Sequence, residues 1–190
     1  SLELGALTDI KGLCERTGAT AESGAITLTY LNRGYRISWP EIVFSFTDDD
    51  AEVPLKDKVL ILHYLATAKG TPLKGEPITY RDVPDGMGYY DVFQKRAIRP
   101  WLNRFAVQPE GFIKGGEALG GKPGEFGDAS IRVMAFERVP VTLVLWRGDE
   151  EFPAEGGVLF DASVVDYLSA YAITELCEVI AWNLVRGAGH

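Results

Sequence analysis

Apolar and polar residues alternate in two stretches near the amino end. Ile26, Leu28 and Tyr30 stand against Thr27 and Thr29, and Tyr35, Ile37 and Trp39 stand against Arg36 and Ser38. A period of two predicts strands, and Asn32-Arg33-Gly34 between them supplies turn chemistry, so a hairpin is expected. Ile42, Phe44 and Phe46 predict a third strand. Ahead of the hairpin, Leu7, Ile10, Leu13 and Cys14 recur at helical spacing, with Gly18 as the stop signal and Gly5 and Gly12 as weak points.

The next periodicity is helical. Asp48-Asp49-Asp50 with Glu52 leads to Pro54 and an apolar run from Leu55 to Ala68. Acidic residues at a helix start oppose the positive end of its dipole, so the aspartates read as a capping cluster. Leu55, Val59, Leu62 and Ala66, broadened by Leu60 and Leu65, predict a largely buried helix. Thr71 to Gly88 reads as a loop with one short strand at Ile78–Tyr80. Tyr89, Phe93, Ala97, Trp101 and Phe105 then fall four apart, with Pro100 predicting a kink or break near Arg99. Seven glycines between Pro109 and Gly127 mark the loosest stretch. Ile131–Phe136 and Val141–Trp146 predict a second hairpin around Pro140, and Val158–Phe160 a further strand. Ile173, Leu176, Cys177, Ile180 and Leu184 predict a closing helix that stops at Arg186-Gly187, with Asp161 capping a shorter turn before it.

The order of elements lacks βαβ alternation. It predicts a single α+β domain over residues 1–190, with a mainly antiparallel sheet and helices packed on it. Hydrophobic content of 46% with 24% charged residues suits a globular core and argues against disorder. A net charge of −8 has the wrong sign for nucleic acid or an anionic membrane, and the closest basic group, Lys95, Arg96, Arg99 and Arg104, is dispersed. No apolar run approaches the roughly 20 residues of a membrane span. The amino terminus shows no basic and apolar secretory pattern. A cytoplasmic protein is therefore expected, with Cys14 and Cys177 as reduced, buried thiols.

Several chemistries fail on spacing. Gly116-Glu-Ala-Leu-Gly-Gly-Lys122 matches most of a phosphate-binding loop, but Pro123 replaces the hydroxyl residue and obstructs the helix whose amides would hold phosphate. A calcium loop starting at Asp48 would place Val53 and Val59 where glycine and glutamate are needed. Histidine occurs only at His63 and His190, so a histidine metal site is disfavoured. A Ser-His-Asp triad would have to use His63, and no Gly-x-Ser-x-Gly elbow accompanies it. No metal or cofactor is expected.

Two stretches are denser in chemistry than a scaffold needs. Tyr80 and Arg81, followed by Tyr90, Phe93 and Arg96, place aromatics beside arginines, a combination that cradles anionic or planar ligands. Asp149, Glu150 and Glu151 follow Trp146 as adjacent carboxylates that suit metal binding or acid–base work. The simpler readings are an amphipathic helix with a wet face and an acidic hairpin turn.

Three strings also carry a likeness: Leu60-Ile-Leu-His-Tyr-Leu-Ala-Thr-Ala-Lys-Gly-Thr-Pro-Leu73 continuing through Gly75; Tyr90, Phe93 and Arg96-Ala97; and Leu145-Trp-Arg-Gly-Asp-Glu-Glu-Phe-Pro-Ala154 with Val158-Leu-Phe-Asp161. Together they resemble the prokaryotic family known as domain of unknown function 3786. The resemblance implies anaerobic bacteria and archaea, where some members add a cysteine-rich iron–sulfur segment that this chain lacks. It transfers no catalytic residue. Two functions stay open. One is a non-catalytic binding or accessory domain for a small anionic molecule or a protein partner, using Tyr80, Arg81, Tyr90, Phe93, Arg96, Asp149 and Glu151. The other is an enzyme with Asp149 or Glu151 as acid or base and Arg81 or Arg96 fixing an anionic substrate. A shared deep pocket would favour the second.

Overall fold

Alternation along the amino-terminal third builds a four-stranded antiparallel sheet in the order β1-β2-β3-β4: β1 Thr20–Glu22, β2 Ala25–Tyr30, β3 Arg33–Ser38 and β4 Val43–Phe46. This computed structural model describes residues 9–189; Gly5 and Leu7 of the expected first helix, and His190, lie outside them. The hairpin turn is one register earlier than expected. Its central residues are Leu31 and Asn32, at φ 46° and 63°, and Tyr30 pairs with Arg33. Two positive φ angles in a two-residue loop match the right-handed twist of the strands. Leu31 tolerates that backbone because it is buried and its N–H donates to Ala135 O at 3.0 Å, a bond that joins the two sheets of the molecule. Helix α1, Ile10–Thr17, ends at Gly18 in the left-handed conformation, as its sequence predicts.

A second antiparallel sheet runs β5-β9-β8-β7-β6, with β5 Pro77–Thr79, β6 Lys122–Pro123, β7 Ala129–Phe136, β8 Val139–Trp146 and β9 Glu155–Asp161. The fold is thus α+β with every strand pair antiparallel, but its strands divide into two sheets. Pro140 lies inside β8 opposite Met134, beside the register shift between Met134 and Phe136, where a missing N–H is tolerated.

Helix α2, Leu55–Thr67, forms where expected but is rotated. Its buried residues are Leu60, Ile61, Tyr64 and Leu65, while Leu55 is 75% and Val59 54% exposed. Tyr64 sets the rotation: its hydroxyl donates to Thr17 O at 2.7 Å and its ring stacks on Phe136, 4.0 Å between centroids. The acidic cluster does not cap α2. Arg33 of β3 pairs with Asp48 and Asp49, and Asp49 accepts from its own loop at Ala51 N.

The aromatic series divides into α3 Gly86–Phe93, a π-helical turn Gln94–Ile98, and α4 Arg99–Phe105. Pro100 explains the division, because its ring cannot sit under a regular i−4 carbonyl; the widened turn closes instead from Arg99 N to Gln94 O. The glycine-rich stretch is not loose throughout. Pro109–Glu117 forms α5, on which Gly115 and Gly116 pack without side chains against α6 and β7. Helix α6, Ala170–Gly187, buries Ile173, Leu176, Cys177, Ile180 and Leu184, each side chain contributing roughly 1.5–3 kcal/mol except the smaller cysteine. One cluster of buried side chains continues from the first sheet through these helices to the second.

Candidate functional site

Helix α6 has two useful faces. Its apolar stripe enters the core, and Glu178, Trp182 and Arg186 follow one another at four-residue spacing along the flank. That flank, the first turn of α2 and strands β2 to β4 enclose a cleft of about 570 Å³. Small-molecule sites run from roughly 300 to 1,000 Å³. Tyr30, Tyr35, Phe46 and Trp182 supply its aromatic wall, and Arg33, Lys56, Asp57, Glu178, Asn183 and Arg186 its polar groups.

Each polar group has a definable state. Tyr35 Oη donates to Asp57 Oδ2 at 2.9 Å. Burial raises the Asp57 carboxyl above the usual carboxylate range, against the Tyr35 hydrogen bond and the charges of Arg33 and Arg186. Burial, and then the Asp57 charge, also push the Tyr35 phenol up. Arg33 lies over the Phe46 ring at 3.2 Å and is neutralised by Asp48 and Asp49. Lys56 bridges Glu175 (2.9 Å) and Glu178 (2.5 Å). Arg186 bonds to Asn183 Oδ1 at 2.8 Å and to the Trp182 carbonyl, with no carboxylate partner among the described residues. Tyr30, at 1% exposure, lines the cleft, and its buried hydroxyl has no hydrogen-bond partner among the described residues. Such a group costs about 1–3 kcal/mol where nothing pairs with it.

The residues singled out by sequence lie elsewhere or play other parts. Tyr80 is buried, stacked on Phe93 at 4.0 Å, with its hydroxyl 3.1 Å from Ala170 O and 2.8 Å from Thr174 Oγ1. Both rings are core anchors. The Arg81 guanidinium sits 3.9 Å from the Tyr90 ring centroid, a cation–π pair in which Arg81 is exposed and Tyr90 half-buried against the core. Arg96 is gripped by Glu175 and Glu178 of α6 at 2.5 and 2.6 Å, and its pKa rises because Glu178 holds the charged form. Asp149 accepts the amides of Glu151 and Phe152 at 2.8 and 2.7 Å, so it organises a turn, and those bonds hold its carboxyl below the usual range. Glu151 is exposed. No hydrogen bond or ion pair joins the Tyr80–Arg99 stretch to the Asp149–Glu151 turn among the described residues.

Sequence reading missed Arg33, Tyr35, Asp57, Trp182 and Arg186 as a group. The recoverable signal was the polar flank Glu178, Trp182, Arg186 beside an apolar helical stripe. The strand and α2 partners lie over a hundred residues earlier, and only folding joins them.

A second groove, about 410 Å³, lies on the other side of Lys56 and is mainly apolar: Leu55, Val59 and Leu60 of α2 face Tyr171 and Ala172 of α6, with His63 between. His63 Nε2 accepts from Ser169 N at 3.5 Å, and burial lowers its pKa, which favours the neutral ring. Cys177 is buried and Cys14 half-buried, and both are free thiols. Among the described residues no cluster of three or more His, Cys, Asp or Glu is placed to hold a metal ion. No described helix is long and apolar enough to cross a membrane.

Neither a curated protein nor a solved structure matches the chain. A family model does, over residues 9–182, a span that takes in both sheets and the first half of the cleft's α6 wall. Its description is a domain of unknown function, DUF3786, in agreement with the resemblance carried by the Leu60–Gly75 and Leu145–Asp161 strings, and the chain belongs to that family.

Proposed function

We propose that this chain is a non-catalytic ligand-binding or accessory domain that holds a small anionic molecule in the cleft between the first sheet and α6. One observation carries the reading. Of the three cations that line the cleft, Arg33 and Lys56 are paired with carboxylates, whereas Arg186 has none within 4.0 Å among the described residues. An arginine without a counterion beside a recess offers its forked donors to an anion. Trp182, 51% exposed, offers an indole face at the mouth. A cytoplasmic location belongs to the same proposal, since free Cys14 and Cys177 suit a reducing compartment.

The test is a thermal-shift panel of nucleotides, phosphorylated metabolites, corrinoids and small carboxylates. A ligand at about 100 times its dissociation constant adds about 2.7 kcal/mol. A shift abolished by Arg186→Gln and retained by Arg81→Ala supports the cleft, and a shift abolished by Arg81→Ala moves the site to the Tyr80–Arg99 stretch.

The enzymatic reading, with Asp149 or Glu151 as acid or base, has less support. A carboxylate held low by turn amides is a weak base, and neither residue lines the cleft. A protein partner stands second, on the exposed apolar strip Leu55, Val59 and Tyr171. If the panel is silent, an assembly detected by sedimentation and dispersed by Val59→Asp would favour it.

A further inference from the structure

Inside the cleft, most charges already have counterions on the protein. Glu178 is satisfied by Arg96 and Lys56, and Arg33 by Asp48 and Asp49. Two charges remain: Arg186, without a carboxylate, and Asp57, whose Oδ1 takes no hydrogen bond from the described residues while Oδ2 holds the Tyr35 hydroxyl. Both line the same cleft, and no ion pair closes between them within 4.0 Å. Two opposite charges that line one recess without pairing leave room for a bridging molecule.

We infer that the occupant is a small zwitterion with a flat body, the chemistry of an aromatic α-amino acid, its carboxylate on Arg186, its ammonium on Asp57 and its ring against Trp182 and Tyr35. This rests on the cleft being a ligand site. The forked guanidinium of Arg186 matches a carboxylate in two parallel hydrogen bonds. An ammonium brings donors to Asp57 Oδ1, which a plain anion would leave facing a negative charge. A plain cation would meet the unpaired Arg186.

Calorimetric titration with L-tryptophan, indole-3-propionate and tryptamine tests this, because the second lacks the ammonium and the third the carboxylate. The amino acid should bind at least tenfold more tightly than either analogue. Asp57→Asn, which keeps shape and the Tyr35 partner, should bring L-tryptophan down to the affinity of indole-3-propionate. Arg186→Gln should bring it down to that of tryptamine, with circular dichroism confirming that both variants fold. Equal or tighter binding of indole-3-propionate overturns the zwitterion and leaves the anion reading intact. No binding of the three probes also overturns it. The anion reading then stands or falls on whether any panel anion gives a shift that Arg186→Gln removes.

Discussion

Asp161 shows how much one carboxylate can hold. It accepts the amides of Lys74, Gly75 and Ser163 at 3.0, 2.7 and 3.0 Å, tying the loop before β5 to the 3-10 turn after β9. Burial pushes its pKa up, but those bonds outweigh it and bring the group down to about 2. A depressed carboxylate stabilises above its unfolded pKa, and that contribution is lost as pH falls through about 2. Asp161→Ala should therefore cost about 1–3 kcal/mol at neutral pH, from the lost cap and backbone partners, and the difference from wild type should shrink in urea melts at acid pH. His63 works in the opposite proton sense. Its lowered pKa means that the unfolded chain binds more protons, so stability should rise as pH climbs towards the ordinary value of 6.5. His63→Gln should flatten that slope. Asp149→Ala should leave the urea midpoint near that of wild type and speed hydrogen exchange at Glu151 and Phe152, whose amides it accepts.

At the scale of elements, glycine has opposite meanings in two helices. A Cβ on Gly115 of α5 would lie 2.2 Å from Leu184 O, and one on Gly116 would lie 2.3 Å from Ile131 Cγ1. Backbone cannot yield as a side-chain end can, so Gly115→Ala should destabilise by about 1–3 kcal/mol through overpacking. Gly88 of α3 has nothing within 4 Å of its missing Cβ. Gly88→Ala should stabilise by about 0.5–1 kcal/mol through helix propensity. Chemical denaturation of the two variants gives both signs. The seven-glycine count predicted looseness because composition cannot tell a glycine that frees the chain from one that lets two elements touch. The rotation of α2 escaped sequence for a related reason. Its apolar residues occupy more than one face, and the packing of Tyr64 on Phe136 and Thr17 selected which face is buried.

The whole molecule is organised around α6, which reaches the core on one side and both grooves on the other. Arg96, from the π-helical turn, and Lys56, from α2, converge on Glu175 and Glu178 and form a charged ridge between the cleft and the apolar groove. Arg96→Ala should lower stability by about 1 kcal/mol, less at high salt, since these pairs are partly solvated. It should weaken ligand binding far less than Arg186→Gln does, and calorimetry on the two variants separates a structural arginine from a binding one.

The sequence alone determined the α+β class, the antiparallel pairing, the first hairpin, the Pro100 break, the carboxy-terminal helix and the cap at Asp161, because each follows from period, turn chemistry or a residue's own backbone limits. Tyr80, Phe93 and Arg96 drew attention for the right chemical reasons, but aromatic and guanidinium groups serve cores and ion pairs as readily as ligands, and their neighbours on α6 lie some eighty to ninety positions away. The division into two sheets and the buried face of α2 depended on long-range packing that no local window contains. So did the cleft that joins Arg33, Tyr35 and Asp57 to Trp182 and Arg186: a recess belongs to the space between elements, and only tertiary structure brings charges from distant segments to line it.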